Sequence, residues 1–306
     1  MNCVFFGTPD FAVPSLKALI ESKRYVVKAV FTQPDKKVGR KQVLTAPAVK
    51  TVANCYDIPV YQPEKIREEQ WINILKDLNP DIIVTAAFGQ ILSRELLDIP
   101  KIGTINVHGS LLPEYRGPAP IQWAIINGEK VTGVTTMFTN EGIDTGDVLL
   151  KQEVAIKENE TSGELFDRLA KTGAELLIRT LDNLDTIVPV KQDEEQSSYF
   201  PMIDKAMAKL DFNKTALELS NLVRGLNPWP IAHFNLGDMK INVLKADVSE
   251  KKGMPGEVIF WDSKHGIVIG CGVGALKIVT LQAAGKKVMD ATSFTNGKKI
   301  EIGSIL

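Results

Sequence analysis

The chain has 306 residues, 44% apolar and 24% charged, with a formal net charge of −1, which suits a globular protein of about two domains. Its longest apolar runs are short, which excludes a membrane-spanning segment. Three scattered cysteines (Cys3, Cys55 and Cys271) fit a reducing cytoplasm and offer no zinc-ligand spacing.

Residues 2–6 read as a first buried strand rather than a signal peptide, lacking a charged n-region and a longer apolar core. Further strands are predicted at 26–32, 58–61, 81–87 and 103–107, each short, apolar and often β-branched. Between them lie helix patterns at 14–22, 46–56, 63–78 and 92–98. The alternation predicts α/β architecture, with βαβ units in a mostly parallel, doubly wound sheet. A helix follows at 119–127, then strands at 131–138 and 148–156, placed antiparallel at an edge. Thr161 and Glu164 have capping-box spacing and open a helix that runs to about residue 184.

From 188 to 204 the periodicity fades and polar residues cluster, as in an interdomain linker. A helix at 214–226 precedes short strands at 232–234, 239–248, 256–259, 266–269 and 275–282. Many short strands between Gly-rich turns predict a small β-barrel. The expected division is a catalytic domain over 1–188, a linker over 189–206 and a barrel over 207–306. Residues 206–306 carry 13 Lys and Arg against 9 Asp and Glu, a mildly basic balance compatible with a polyanion partner.

The chemistry gathers around Asn106-Val107-His108-Gly109-Ser110-Leu111-Leu112-Pro113. Asn106 and His108, two apart on a strand, point to one face at its C-terminal end, where open α/β sheets bind ligands. Asp144 lies in the Gly-rich acidic loop Glu141-Gly142-Ile143-Asp144-Thr145-Gly146-Asp147. An amide donor, an imidazole and a carboxylate in one pocket suit acyl or formyl transfer. Gly7-Thr8-Pro9-Asp10-Phe11-Ala12 fails the GxGxxG pattern at its second and third glycines, against a nicotinamide dehydrogenase, and no Walker A pattern occurs. Small residues around Phe88, Gly89 and Gln90 would let a flat ring approach the backbone. Lys36, Lys37, Arg40 and Lys41 surround Gly39 in a basic loop suited to phosphate contact. Pro228-Trp229-Pro230 reads as a rigid packed turn, and His233 and His265 read as structural. The residues alone leave open an enzyme acting on a small amine and a non-catalytic RNA-binding module.

Several segments together are similar to one family. The 106–113 stretch, the Tyr115-Arg116-Gly117-Pro118-Ala119-Pro120 extension and the Gly142-Ile143-Asp144-Thr145-Gly146 loop resemble the folate-dependent formyltransferases. Residues 203–212, 223–230 and 281–289 with Phe294 and Gly297, together with Thr32-Gln33-Pro34-Asp35 and Gly39-Arg40, resemble the methionyl-tRNA formyltransferases among them, along essentially the whole chain. The 34–42 loop departs from their pattern after Arg40, where Lys41-Gln42-Val43 replaces further cations.

The resemblance implies a Rossmann-like catalytic domain and an OB-like, tRNA-binding C-terminal domain. It implies transfer of formyl from 10-formyltetrahydrofolate, a cosubstrate, to methionyl initiator tRNA by a cytoplasmic monomer, without a metal. Asn106, His108 and Asp144 would be catalytic. Ser110, Leu111, Leu112 and Pro113 would form the folate pocket, with Phe88, Gly89 and Gln90 at the pterin slot. Arg40, with Lys36, Lys37 and Lys41, would contact tRNA.

Overall fold

A computed structural model describes residues 1–39 and 41–306; Arg40 lies outside the described residues. By internal contacts the chain forms two compact units. The first holds Met1–Pro120, Val131–Ala155 and Phe166–Pro201, and the second Ile121–Lys130, Ile156–Leu165 and Met202–Leu306.

The first unit begins with β1 (Asn2–Gly7), α1 (Val13–Glu21) and β2 (Val26–Phe31). Next come a small hairpin, β3 (Lys36–Val38) and β4 (Val43–Thr45), then α2 (Ala48–Cys55) and β5 (Val60–Tyr61). The chain continues through α3 (Glu69–Leu78), β6 (Ile82–Ala86), α4 (Arg94–Leu97) and β7 (Gly103–His108). The chain then passes through α5 (Pro120–Ile126), which falls almost wholly in the second unit, to β8 (Val131–Phe138), β9 (Val148–Ala155) and α6 (Ser162–Asp182), which belongs to the first unit from Phe166 on. The main sheet has seven strands in the order β5-β2-β1-β6-β7-β8-β9. β5 to β7 are parallel, while β8 and β9 add antiparallel at one edge.

Register fixes the two faces of this sheet. Phe6 pairs with Thr85 and Thr85 with Asn106, and paired residues share a face. Val4, Phe6, Ala29, Phe31 and Ile83 therefore line one face, buried with Ile72 and Leu75 of α3 and Leu96 of α4. Ile105 and Val107 point to the other face. There α6 comes so close that a Cβ on Gly173 would lie 2.8 Å from Val107 Cγ1. Asn106 and His108 thus stand on the first face, beyond its apolar floor.

The helix expected at 63–78 begins only at Glu69. Gln90 accounts for the shortening: its side chain accepts from Ile66 N at 2.8 Å and donates to Pro63 O at 2.9 Å. Tertiary contacts there take backbone groups that a helix would use. The basic stretch expected as a loop is instead the hairpin β3–β4, paired Lys36 to Thr45 and Val38 to Val43.

In the second unit, α7 (Ala216–Gly225) starts with a complete capping box between Thr215 and Glu218. Then follow β10 (His233–Leu236), β11 (Met239–Ser249), β12 (Val258–Asp262), β13 (Gly266–Gly270), β14 (Ala275–Ala283), β15 (Met289–Asp290) and α8 (Ala291–Gly297). The antiparallel order is β10-β11-β14-β13-β12, with β15 on β14. No pairing joins β10 to β12 among the described residues, so the sheet is a half-barrel. α5 packs here: a Cβ on Gly225 would meet Ile126 and the Gln122 carbonyl. Trp229 is not packed as expected; it is 52% exposed. His265 closes a turn through Nδ1 to Asp262 and stacks on Phe260, ring centroids 4.6 Å apart. Among the described residues no helix is long and apolar enough to cross a membrane.

Candidate active site

The C-terminal end of β7 is the natural place for a reaction, because the parallel strands end there and the chain must leave the sheet. Thr85 on β6 donates its hydroxyl to Asn106 Oδ1 at 2.8 Å. That bond orients the amide, so its nitrogen is the end left to donate. No described group of the protein accepts from it.

His108, two residues on, is 6% exposed. Its Nε2 lies 3.0 Å from Tyr115 O. A carbonyl only accepts, so Nε2 carries the hydrogen and the neutral ring keeps its lone pair on Nδ1. Nδ1 lies 3.5 Å from Asp144 Oδ1, an ion-pair distance too long for a good hydrogen bond. The other carboxylate oxygen, Oδ2, accepts from Gly117 N at 2.9 Å. The sequence neighbours Asn106 and His108 and the distant Asp144 thus meet around two loops.

The 144–146 turn is tightly specified. Asp144 has a left-handed φ of 54°, which Asp tolerates better than most residues. A Cβ on Gly146 would collide with the Phe138 carbonyl. Asn140 Oδ1 holds the outer side, accepting from Gly142 N and from Thr145 Oγ1.

Residues 188–201, expected as part of a linker, pack instead as a strap on this site within the first unit. Val190 exchanges two backbone hydrogen bonds with Val148. Gln192 Nε2 donates to Asp144 O at 2.8 Å and to Gly146 O at 2.7 Å. Gln192 Oε1 accepts from Arg116 Nε and Nη2. The same guanidinium forks onto Glu194 with two bonds of 2.8 Å. That pairing holds the Glu194 carboxyl below its ordinary value and raises Arg116 further. Ser198 Oγ accepts from Tyr115 N, and Phe200 stacks on Tyr115 at 4.8 Å. Thr85 and Gln192 escaped sequence reasoning, and neither lies near the motif in sequence.

The 110–113 loop divides into two roles. Ser110 and Leu112 are fully buried. Ser110 Oγ donates to Glu114 O at 2.7 Å, and Leu112 packs with Met137 and Val148. These two hold the loop rather than line an open pocket. Leu111 and Pro113 are half-buried and supply its outward surface.

After β6, Phe88 is buried against Phe6 at 4.9 Å, and its carbonyl accepts from Thr8 Oγ1 and Gln33 Nε2. Gln90 is occupied by Pro63 and Ile66. Exposed Ala87 and Gly89, with φ of 46° and 84°, leave bare backbone at the strand end. Lys36, Lys37 and Lys41 are exposed on the β3–β4 hairpin; Arg40 lies outside the described residues. The hairpin root is anchored where Asp35 accepts from Lys50 Nζ at 2.8 Å and Gln62 Nε2 at 2.7 Å. No metal-binding cluster of His, Cys, Asp and Glu occurs among the described residues.

Comparison with known proteins agrees with this architecture. A formyl transferase family model matches residues 1–181, and a formyl transferase C-terminal domain model matches 202–299. A methionyl-tRNA formyltransferase of Clostridium perfringens is 49% identical over 311 residues, covering 100% of both chains. One from Thermodesulfovibrio yellowstonii is 46% identical over 301 residues, covering 98% of this chain and 97% of its own. Among solved structures, the sugar 3N-formyl transferase WlaRD superposes with a TM-score of 0.68 at 22% identity, over 94% of this chain and 98% of its own. A methionyl-tRNA formyltransferase from Clostridium thermocellum superposes at 0.59 with 19% identity, over 82% and 95%. The two structures share the fold. From the two family models and the full-length relatives together, the chain belongs to the methionyl-tRNA formyltransferase family.

Proposed function

We propose that the chain transfers the formyl group of 10-formyltetrahydrofolate to the α-amine of methionyl initiator tRNA. The chemistry rests on one observation: an Asn106 amide with a free N–H shares a strand-end face with His108, whose Nδ1 faces the Asp144 carboxylate. The acceptor comes from the methionyl-tRNA formyltransferases, similar over the full chain.

The amine nitrogen attacks the formyl carbon, and the carbonyl pair moves onto oxygen. The Asn106 N–H donates to that oxyanion, an interaction strongest in the transition state. The attacking nitrogen passes a proton to His108 Nδ1. The resulting imidazolium N–H then faces Asp144, whose charge stabilises it. The oxyanion pair re-forms the carbonyl, the bond from the formyl carbon to folate N10 breaks, and His108 passes its proton to N10. Amide product and tetrahydrofolate leave with atoms balanced and without redox change.

The Leu111 and Pro113 surfaces and the bare backbone at Ala87 and Gly89 form the folate-facing strip in this reading. Ser110, Leu112, Phe88 and Gln90 support it from beneath. Lys36, Lys37 and Lys41 on the hairpin, with Arg40, contact the tRNA, and the basic half-barrel grips its backbone. The reading takes the protein as cytoplasmic and as a monomer, and light scattering checks the monomer.

Release of tetrahydrofolate should require methionyl initiator tRNA. Arg40→Ala should raise the KM for that tRNA and narrow the gap to other tRNAs. Release driven by a sugar amine and not by tRNA would overturn the acceptor, and an Arg40→Ala variant with parental KM and selectivity would overturn the hairpin's role.

A further inference from the structure

The strap carries a buried hydrogen-bond set more specific than its polar composition suggests. Gln192 is 6% exposed. Its amide orientation is fixed from both ends, oxygen toward the Arg116 guanidinium and nitrogen toward the carbonyls of Asp144 and Gly146. Both amide hydrogens are used, and they span one residue, Thr145. The bridge therefore closes the inner side of the turn that aims the Asp144 carboxylate.

That turn needs closing. Asp144 sits at a φ of 54°, where an L-residue is held only by its surroundings. Asn140 supports its outer side through two side-chain bonds. Arg116 is itself 6% exposed and anchored by two bonds to Glu194, so the Gln192 amide has a stiff backing.

We propose that Gln192, backed by Arg116, is a positioning residue for formyl transfer, holding the 144–146 turn so that Asp144 keeps Gly117 N–H and faces His108 Nδ1. The inference rests on the reading of Asn106, His108 and Asp144 as the transfer site. It assigns a mechanical role to a segment that lies outside every motif of the site.

Gln192→Glu tests it with little change of shape. The carboxylate still accepts from Arg116 but offers no hydrogen to the two carbonyls. Gln192→Met, similar in length and uncharged, is the second variant in case the first folds poorly. In the complete chain, single-turnover transfer should slow by about 100-fold, the cost of a misplacement near 1 Å. Apparent affinities for folate and tRNA should stay within about 3-fold. Exchange of the Gly117 amide hydrogen, which Asp144 accepts, should accelerate by about 10-fold or more while β7 amides keep their protection.

A rate within about 2-fold of the parent, with Gly117 exchange unchanged, would overturn the proposal. So would a rate loss accompanied by equal loosening of β7, because that is general destabilisation. Gly117 exchange needs no reaction. A parent chain that transfers no formyl would count against the proposed function, while the exchange measurement would still decide whether Gln192 holds the turn.

Discussion

Asn106→Ala probes the oxyanion donor most sharply. Loss of one such donor costs about 100- to 1,000-fold in rate, about 2.7–4 kcal/mol of transition-state stabilisation. The variant also strands the hydroxyl of Thr85, a residue 6% exposed, which donates to Asn106 Oδ1 at 2.8 Å. A buried donor without its acceptor costs about 1–3 kcal/mol of stability. The two losses separate in the double variant Thr85→Val/Asn106→Ala, where no hydroxyl is orphaned. Its melting temperature should recover toward the parent while its transfer rate stays down. Thr85→Val alone leaves the amide in place but frees it to turn, so its rate should fall between the two. The assay is single-turnover transfer of labelled formyl at saturating folate, with thermal melts alongside. An Asn106→Ala rate constant within about 3-fold of the parent, in a folded chain, would refute the donor argument.

Three further outcomes follow from named contacts. Asp144→Asn should lower the single-turnover rate by about 100- to 10,000-fold and affinity far less, the span typical of lost proton-transfer support; an unchanged rate constant removes Asp144 from the chemistry. At the hairpin root, the Lys50 hydrogen bond holds Asp35 below the ordinary carboxylate range. A depressed folded value means the anchor is present above about pH 4 and lost as pH falls through that lower value. Proteolysis within residues 36–45 should therefore quicken at acid pH, and Lys50→Met should show the fast rate already at neutral pH. Equal rates in parent and variant would contradict the anchor. Burial pushes the Cys3 thiol up to about 12 and Cys271 to about 11, whereas Cys55 is exposed. A thiol reagent at pH 8 should label Cys55 quickly and the other two only on unfolding; rapid labelling of Cys3 would contradict the buried first strand.

Much of the first unit was legible because its strands are short apolar runs with one pairing solution. Residues 2–6, 81–87 and 103–107 became β1, β6 and β7, and the Asn106–His108 face followed from a period of two. Thr161 and Glu164 cap their helix as their spacing implied, Thr161 N donating to Glu164 at 2.9 Å. The hairpin β3–β4 was not legible. Its three-residue strands are exposed on both faces, so no alternation between buried and solvated positions exists to be read. The strap was illegible for another reason. Gln192, Glu194 and Ser198 are held by side-chain bonds to loops 46 to 83 residues away, and such bonds impose no period. Trp229 shows the limit of local stiffness as a guide: two flanking prolines fix a turn without saying which way the indole faces.

The most direct measurement is the amino acid recovered from tRNA after incubation with 10-formyltetrahydrofolate. Methionyl initiator tRNA should yield N-formylmethionine, and methionyl elongator tRNA should yield free methionine. Free methionine from both, with tetrahydrofolate still released to a small amine, would contradict the account.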